Sequence, residues 1–132
     1  MKTFPTSSSN RFHHARLRPH HWLTALWVLT MVAVPILRWT WGDQILPQVV
    51  IVSVTLQAAA VLAALWDGWG RRATLLLTTL ILPITWAVEW LGSSTGFPFG
   101  SYTYTANLQP QLAHVPLIIP LAWLMMLPPA WA

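Results

Sequence analysis

Glu89 is the only glutamate in the 132 residues, and it sits inside an apolar run, ILPITWAVEWLG. That run begins near Ala73. At about 1.5 Å per residue, a helix from there places Glu89 about 24 Å along its axis. In a hydrocarbon layer about 30 Å thick, this is close to the far boundary but still inside it. Desolvation there favours the neutral carboxylic acid, and a proton held at neutral pH is what a general acid donates. Trp86 and Thr85 precede it by three and four residues, on the same helical face. Downstream, Phe97 and Phe99 alternate, as do Tyr102 and Tyr104, so in extended chain each pair shows one face. Gly92, Gly96, Gly100 and Pro98 around them imply a specific, tight backbone path. Such rings can wall a hydrophobic ligand, and their faces can stabilise a cation. Belting at a membrane interface would place aromatic rings there without any ligand. Glu89 also has a purely structural reading. Arg38 stands as far along the first apolar run as Glu89 does along the third, and a pair between them would hold two helices together.

The elements that must position these residues are membrane helices. Apolar residues make up 55% of the chain and charged residues only 8%, against about 25% charged in a soluble domain. Mean hydropathy is +0.54. Ten tryptophans fit side chains held with one end dry and the other wet. A net charge of +4 would point a soluble chain toward nucleic acid. Here the positive charges lie between apolar runs, where orientation in a bilayer accounts for them. The absence of Cys excludes disulfides, thiolate metal sites and a Cys nucleophile.

The expected fold is all-α: a polytopic transmembrane helix bundle of about four spans. Residues 1–21 form a basic tail containing Arg11, Arg16 and Arg18. Its adjacent histidines, His13-His14 and His20-His21, have no third ligand fixed in space, so no metal site is assigned. The transmembrane domain occupies 22–132, with spans near 22–40, 45–66, 73–91 and 115–132 and a functional loop at 92–114. Pro35 should kink the first span. Ser53, Gln57, Ala60 and Ala64 give the second a small, partly polar stripe suited to helix packing in lipid. Lys2, Arg11, Arg16, Arg18, Arg71 and Arg72 fall on the side of the N-terminus, and only Arg38 lies toward the other. The positive-inside rule then puts the N-terminus and the 67–72 turn in the cytoplasm and the loop after Glu89 at the outer face. The chain ends inside an apolar run, which is expected of a sequence truncated at its C-terminus.

The residues Glu89-Trp-Leu-Gly92, Thr95-Gly96-Phe97-Pro98-Phe99-Gly100 and Tyr102-Thr-Tyr104 carry a resemblance. It continues through Val115-Pro-Leu-Ile-Ile-Pro-Leu-Ala-Trp123 and Met125-Met126. Together they resemble the carotenoid 1,2-hydratases of the bacterioruberin and deinoxanthin pathways, multi-pass proteins of the bacterial inner membrane. The resemblance covers what would be the N-terminal part of such a protein. It implies carotenoid biosynthesis by hydration of the terminal C1–C2 double bond of a linear ψ end group, of lycopene or γ-carotene type, giving a tertiary alcohol. Glu89 would be the acid, with Tyr102 and Tyr104 orienting water or relaying protons. Trp86, Phe97, Phe99 and Trp123 would line the polyene end. No metal or organic cofactor is implied, and the partners are the carotenoid, the bilayer and other enzymes of the pathway, with no nucleic acid.

The chain departs from the family pattern at Gln109 and His114, where glycines are usual, and lacks further spans and a second Gly/Pro/Asn-Phe motif, so these 132 residues alone are expected to be an inactive fragment of the hydratase. A small membrane lycopene cyclase would use the same first protonation, but usually shows paired carboxylates after a proline. Pro83-Ile-Thr-Trp-Ala-Val-Glu89 offers one. A non-catalytic carotenoid-binding or assembly subunit is the alternative outside enzymes.

Overall fold

The computed structural model describes residues 18–131. The Arg11 and Arg16 cluster and the His13-His14 pair lie outside the described residues. Four helices form in chain order: α1 (Pro19–Trp41), α2 (Leu46–Trp69), α3 (Arg71–Thr95) and α4 (Ile118–Trp131). A 3-10 turn, Asp43–Ile45, joins the first two. Two short strands, β1 (Gln111–Leu112) and β2 (Val115–Pro116), lie between the last two helices.

Helix boundaries follow local chemistry. Pro19 opens α1 at a position where its missing N–H costs nothing. Gly70, at φ +81°, is the single residue separating α2 from α3. Its left-handed backbone breaks the helix and reverses the chain. Pro35 and Pro83 lie within α1 and α3 without ending either helix. The third helix continues a turn beyond the expected 91, to Thr95, and is closed by Gly96 at φ +77°. The fourth begins at Ile118, because 115–116 are taken by the hairpin, whose register pairs Gln111 with Pro116 and Leu112 with Val115. Ala113 and His114 form its two-residue turn, both at positive φ (45° and 59°), as a tight hairpin with the twist of its strands requires.

Packing centres on α2, which touches each of the other three helices, and α3 also packs on α4. On the α1 side, the Trp27 indole donates to Ser53 Oγ at 3.1 Å, and Ser53 in turn contacts Met31 Sδ. Of the small stripe on α2, Ser53 and Ala60 are buried, Gln57 is half-buried and Ala64 is exposed. Val115 and Leu124 are fully buried, so the hairpin and α4 share a dry interior. At the opposite end, His20 Nδ1 lies 3.0 Å from Asp67 Oδ2 and ties the start of α1 to the end of α2.

Two helical stretches are long and apolar enough to cross a membrane, Pro19–Trp41 and Asp43–Thr95, the second containing α2 and α3. Their outward flanks are apolar: Leu29, Val32 and Ile36 on α1 and Leu76, Leu80 and Ile84 on α3 are all exposed. Such surfaces suit lipid rather than water. The 14 residues of α4 reach about 21 Å at the helical rise.

Candidate functional site

Glu89 is buried near the end of α3, 7% exposed. Periodicity places Thr85 and Gly92 on the same stripe of the helix, and both are buried with it. The loop that follows folds back so that Tyr102 and Tyr104 both reach the carboxyl. The Tyr102 hydroxyl donates to Glu89 Oε2 at 2.9 Å and the Tyr104 hydroxyl to the same oxygen at 2.5 Å. From α4, the Trp123 indole N–H donates to Oε1 at 2.9 Å. Three donors from two separate segments therefore converge on one carboxyl. The two phenol rings meet edge to face, with centroids 5.6 Å apart.

Arg38 plays no part in this. Its Nε donates to Asp43 Oδ1 at 2.6 Å across the end of α1, with both side chains mostly in solvent. Asp43 is five residues away and reaches Arg38 locally, so the pairing of Arg38 with Glu89 is not made.

The hydrogen-bond inventory gives the carboxyl two usable states. As a carboxylate it accepts all three donors. As an acid it keeps the indole bond at Oε1, because an indole N–H can only donate. The acid's own hydrogen then sits on Oε2 and is given to a phenol oxygen, which accepts as readily as it donates. Burial pushes the ionisation of both phenols above its usual range, and the Glu89 hydrogen bond and charge push it further. Both therefore remain O–H groups able to pass a proton.

The remaining candidate residues fall around this cluster. Trp86 lies one turn before Glu89, stacks on Trp90 at 6.4 Å and donates its indole N–H to the Leu112 carbonyl at 3.3 Å. It lines an apolar groove of about 490 Å³ between α3, the hairpin and the start of α4, together with Leu82, Leu112, Leu117, Pro120 and Leu121. Phe99 lies against Gly92. Phe97 presents its ring outward, 72% exposed. Trp123, expected as part of a ligand wall, is a hydrogen-bond partner of the carboxyl. His114 Nε2 lies 3.3 Å from Ser94 Oγ, so the hairpin is fastened to α3 on both sides of Glu89. Among the described residues, no three His, Cys, Asp or Glu side chains gather as a metal site would require.

Two contributions were missed in the sequence. Trp123 is 34 residues from Glu89, too far for any local spacing rule. Gly92 reads in the sequence as turn chemistry and as part of the Glu89-Trp-Leu-Gly92 motif, although its i+3 position relative to Glu89 also marks it as a neighbour on the same face.

The family described as carotenoid biosynthesis protein matches residues 48–132, which include every part of this site. No curated protein and no solved structure matches the chain.

Proposed function

The chain belongs to the carotenoid biosynthesis protein family, which gives it a role in that pathway, and we propose that it hydrates the ψ end of a linear carotenoid. The observation that carries this reading is the convergence of Tyr102, Tyr104 and Trp123 on the buried Glu89 carboxyl. Adding water to an isolated trisubstituted alkene needs a proton donor in a dry place and a regulated supply of water. Glu89 delivers its Oε2 proton to C2 of the end group, and the positive charge that develops at the tertiary C1 is captured by water. The oxygen of that water bonds to C1, and its surplus proton returns to the carboxylate through a tyrosine hydroxyl. One water is consumed, the double bond becomes a tertiary alcohol, and the enzyme ends in its starting state. The Trp123 bond at Oε1 directs the proton to the oxygen that faces the tyrosines. The groove beside Trp86 suits the apolar polyene.

In this reading α1 to α4 are four spans of an inner-membrane protein with the N-terminus in the cytoplasm. Glu89 and its loop then lie at the outer face, where water is available. The test is pigment mass in a host that makes a linear carotenoid. Hydration adds the mass of one water per end group. An isomer of unchanged mass would establish cyclisation instead, and unaltered pigment would remove the claim that these residues hydrate by themselves.

A further inference from the structure

The geometry points to Gly92 as a positioning residue for Tyr102: the side chain it lacks is the space through which the phenol reaches Glu89. A Cβ built on Gly92 would stand 2.6 Å from the Tyr102 hydroxyl oxygen, closer than real Cβ contacts come. That hydroxyl lies 2.9 Å from Glu89 Oε2 and 3.3 Å from the Glu89 carbonyl oxygen, so two acceptors hold it over the helix surface at this point. The other neighbours are more forgiving. Tyr102 Cε1 would lie 3.4 Å from the new carbon, an ordinary contact, and Phe99 Cδ2 3.2 Å away. Phe99 is 57% exposed and its ring has room to give.

The requirement is therefore specific to one oxygen atom. Gly92 is buried within α3 and has ordinary helical backbone, unlike the left-handed glycines at 42, 70, 96 and 100. Alanine is the better helix former, so Gly92→Ala leaves the helix able to form and acts by displacing the Tyr102 hydroxyl. Tyr104 reaches Oε2 clear of this position: the three nearest atoms to the built Cβ belong to Tyr102 and Phe99. The substitution thus separates the two phenols, weakening one bond to the carboxyl and sparing the other. The catalytic consequence rests on the hydration reading above, but the positioning does not.

Tyr102 and Tyr104 are the only tyrosines in the chain, so a tyrosine-specific label reports on this site alone. The experiment is ¹³Cζ-tyrosine NMR on the membrane-reconstituted protein, with Tyr102→Phe assigning the two resonances. In Gly92→Ala the Tyr102 resonance should move and titrate at lower pH than in the parent, toward ordinary tyrosine, while that of Tyr104 stays in place. An unchanged Tyr102 resonance in Gly92→Ala overturns the inference. Should Gly92→Ala fail to accumulate, Gly92→Ala with Tyr102→Phe should restore accumulation, because the clashing oxygen is gone; equal failure of both also overturns it. In the pigment assay, adding Gly92→Ala to Tyr102→Phe should cost no further activity. If hydration is absent from the parent while the Tyr102 resonance still moves, the positioning stands and the hydration reading falls.

Discussion

Trp123→Phe removes one donor from Glu89 while keeping an aromatic ring in place. The bond it deletes joins the indole N–H to Oε1 at 2.9 Å. A hydrogen bond contributes about 1 kcal/mol net when both partners are neutral and up to about 3 kcal/mol to a charged group. The smaller ring adds on the order of 1 kcal/mol, a fraction of the cost of deleting a buried aromatic outright. The expected destabilisation is therefore roughly 2–4 kcal/mol, which lowers the folded-to-unfolded ratio about 30- to 700-fold at 1.4 kcal/mol per decade. Unfolding in mixed micelles, followed by helical circular dichroism, measures it. Trp90→Phe is the control. Trp90 is 42% exposed and its ring stacks only on the outer part of the cluster, against Trp86. Its loss should cost about 1 kcal/mol or less. If Trp123→Phe is no more damaging than Trp90→Phe, the indole is not a structural partner of the carboxyl and the argument fails.

The tyrosine titration carries a pH dependence with a definite sign. Both phenols are held protonated above their reference value of 10.0 in the folded protein. The stability they contribute is fully present below that pH and is lost as pH rises through their raised values. Phenolate absorbance should therefore appear at higher pH than in the unfolded chain, and Glu89→Gln should bring it down; coincident folded and unfolded titrations would contradict this. A reporter fused after Arg72 should read cytoplasmic and one inserted near Asn107 should read external, and a cytoplasmic Asn107 reporter would invert the proposed site placement.

Much of the architecture was legible because apolar run length and turn chemistry are local signals. The reversal at 67–72 is the clearest case, since two glycines and two arginines interrupt the apolar pattern there; the helix nevertheless runs through Gly68 to Trp69, and Gly70 alone breaks it. Glu89 stands out by itself as the lone acid of an apolar run, whereas the Tyr-x-Tyr alternation marks only two rings on one face, and it is the family resemblance that ties their hydroxyls to the carboxyl. The height argument that matched Arg38 with Glu89 failed because height along a helix says nothing about azimuth. Asp43 was nearer and reachable in water. The hairpin was hidden for a different reason: Val115 and Pro116 read as the start of an apolar span, and Ala113-His114 has none of the Asn-Gly chemistry that announces a two-residue turn. His114 does sit where the backbone turns left-handed, a conformation that glycine adopts more readily than any other residue. Trp123 was noticed for its ring. Which of its atoms mattered depended on how α4 packs against α3, and no spacing rule reaches that far.

The central claim is that Glu89 supplies the proton. Glu89→Gln keeps the size of the side chain and leaves an amide oxygen to accept the Trp123 indole, but the amide cannot act as the acid. General acid–base catalysis contributes about 10²–10⁴-fold. Pigment mass in a host making a linear carotenoid, measured beside protein abundance, should show the parent adding water and the Gln variant present at the same level but without product. Undiminished hydrated pigment from Glu89→Gln would contradict the account.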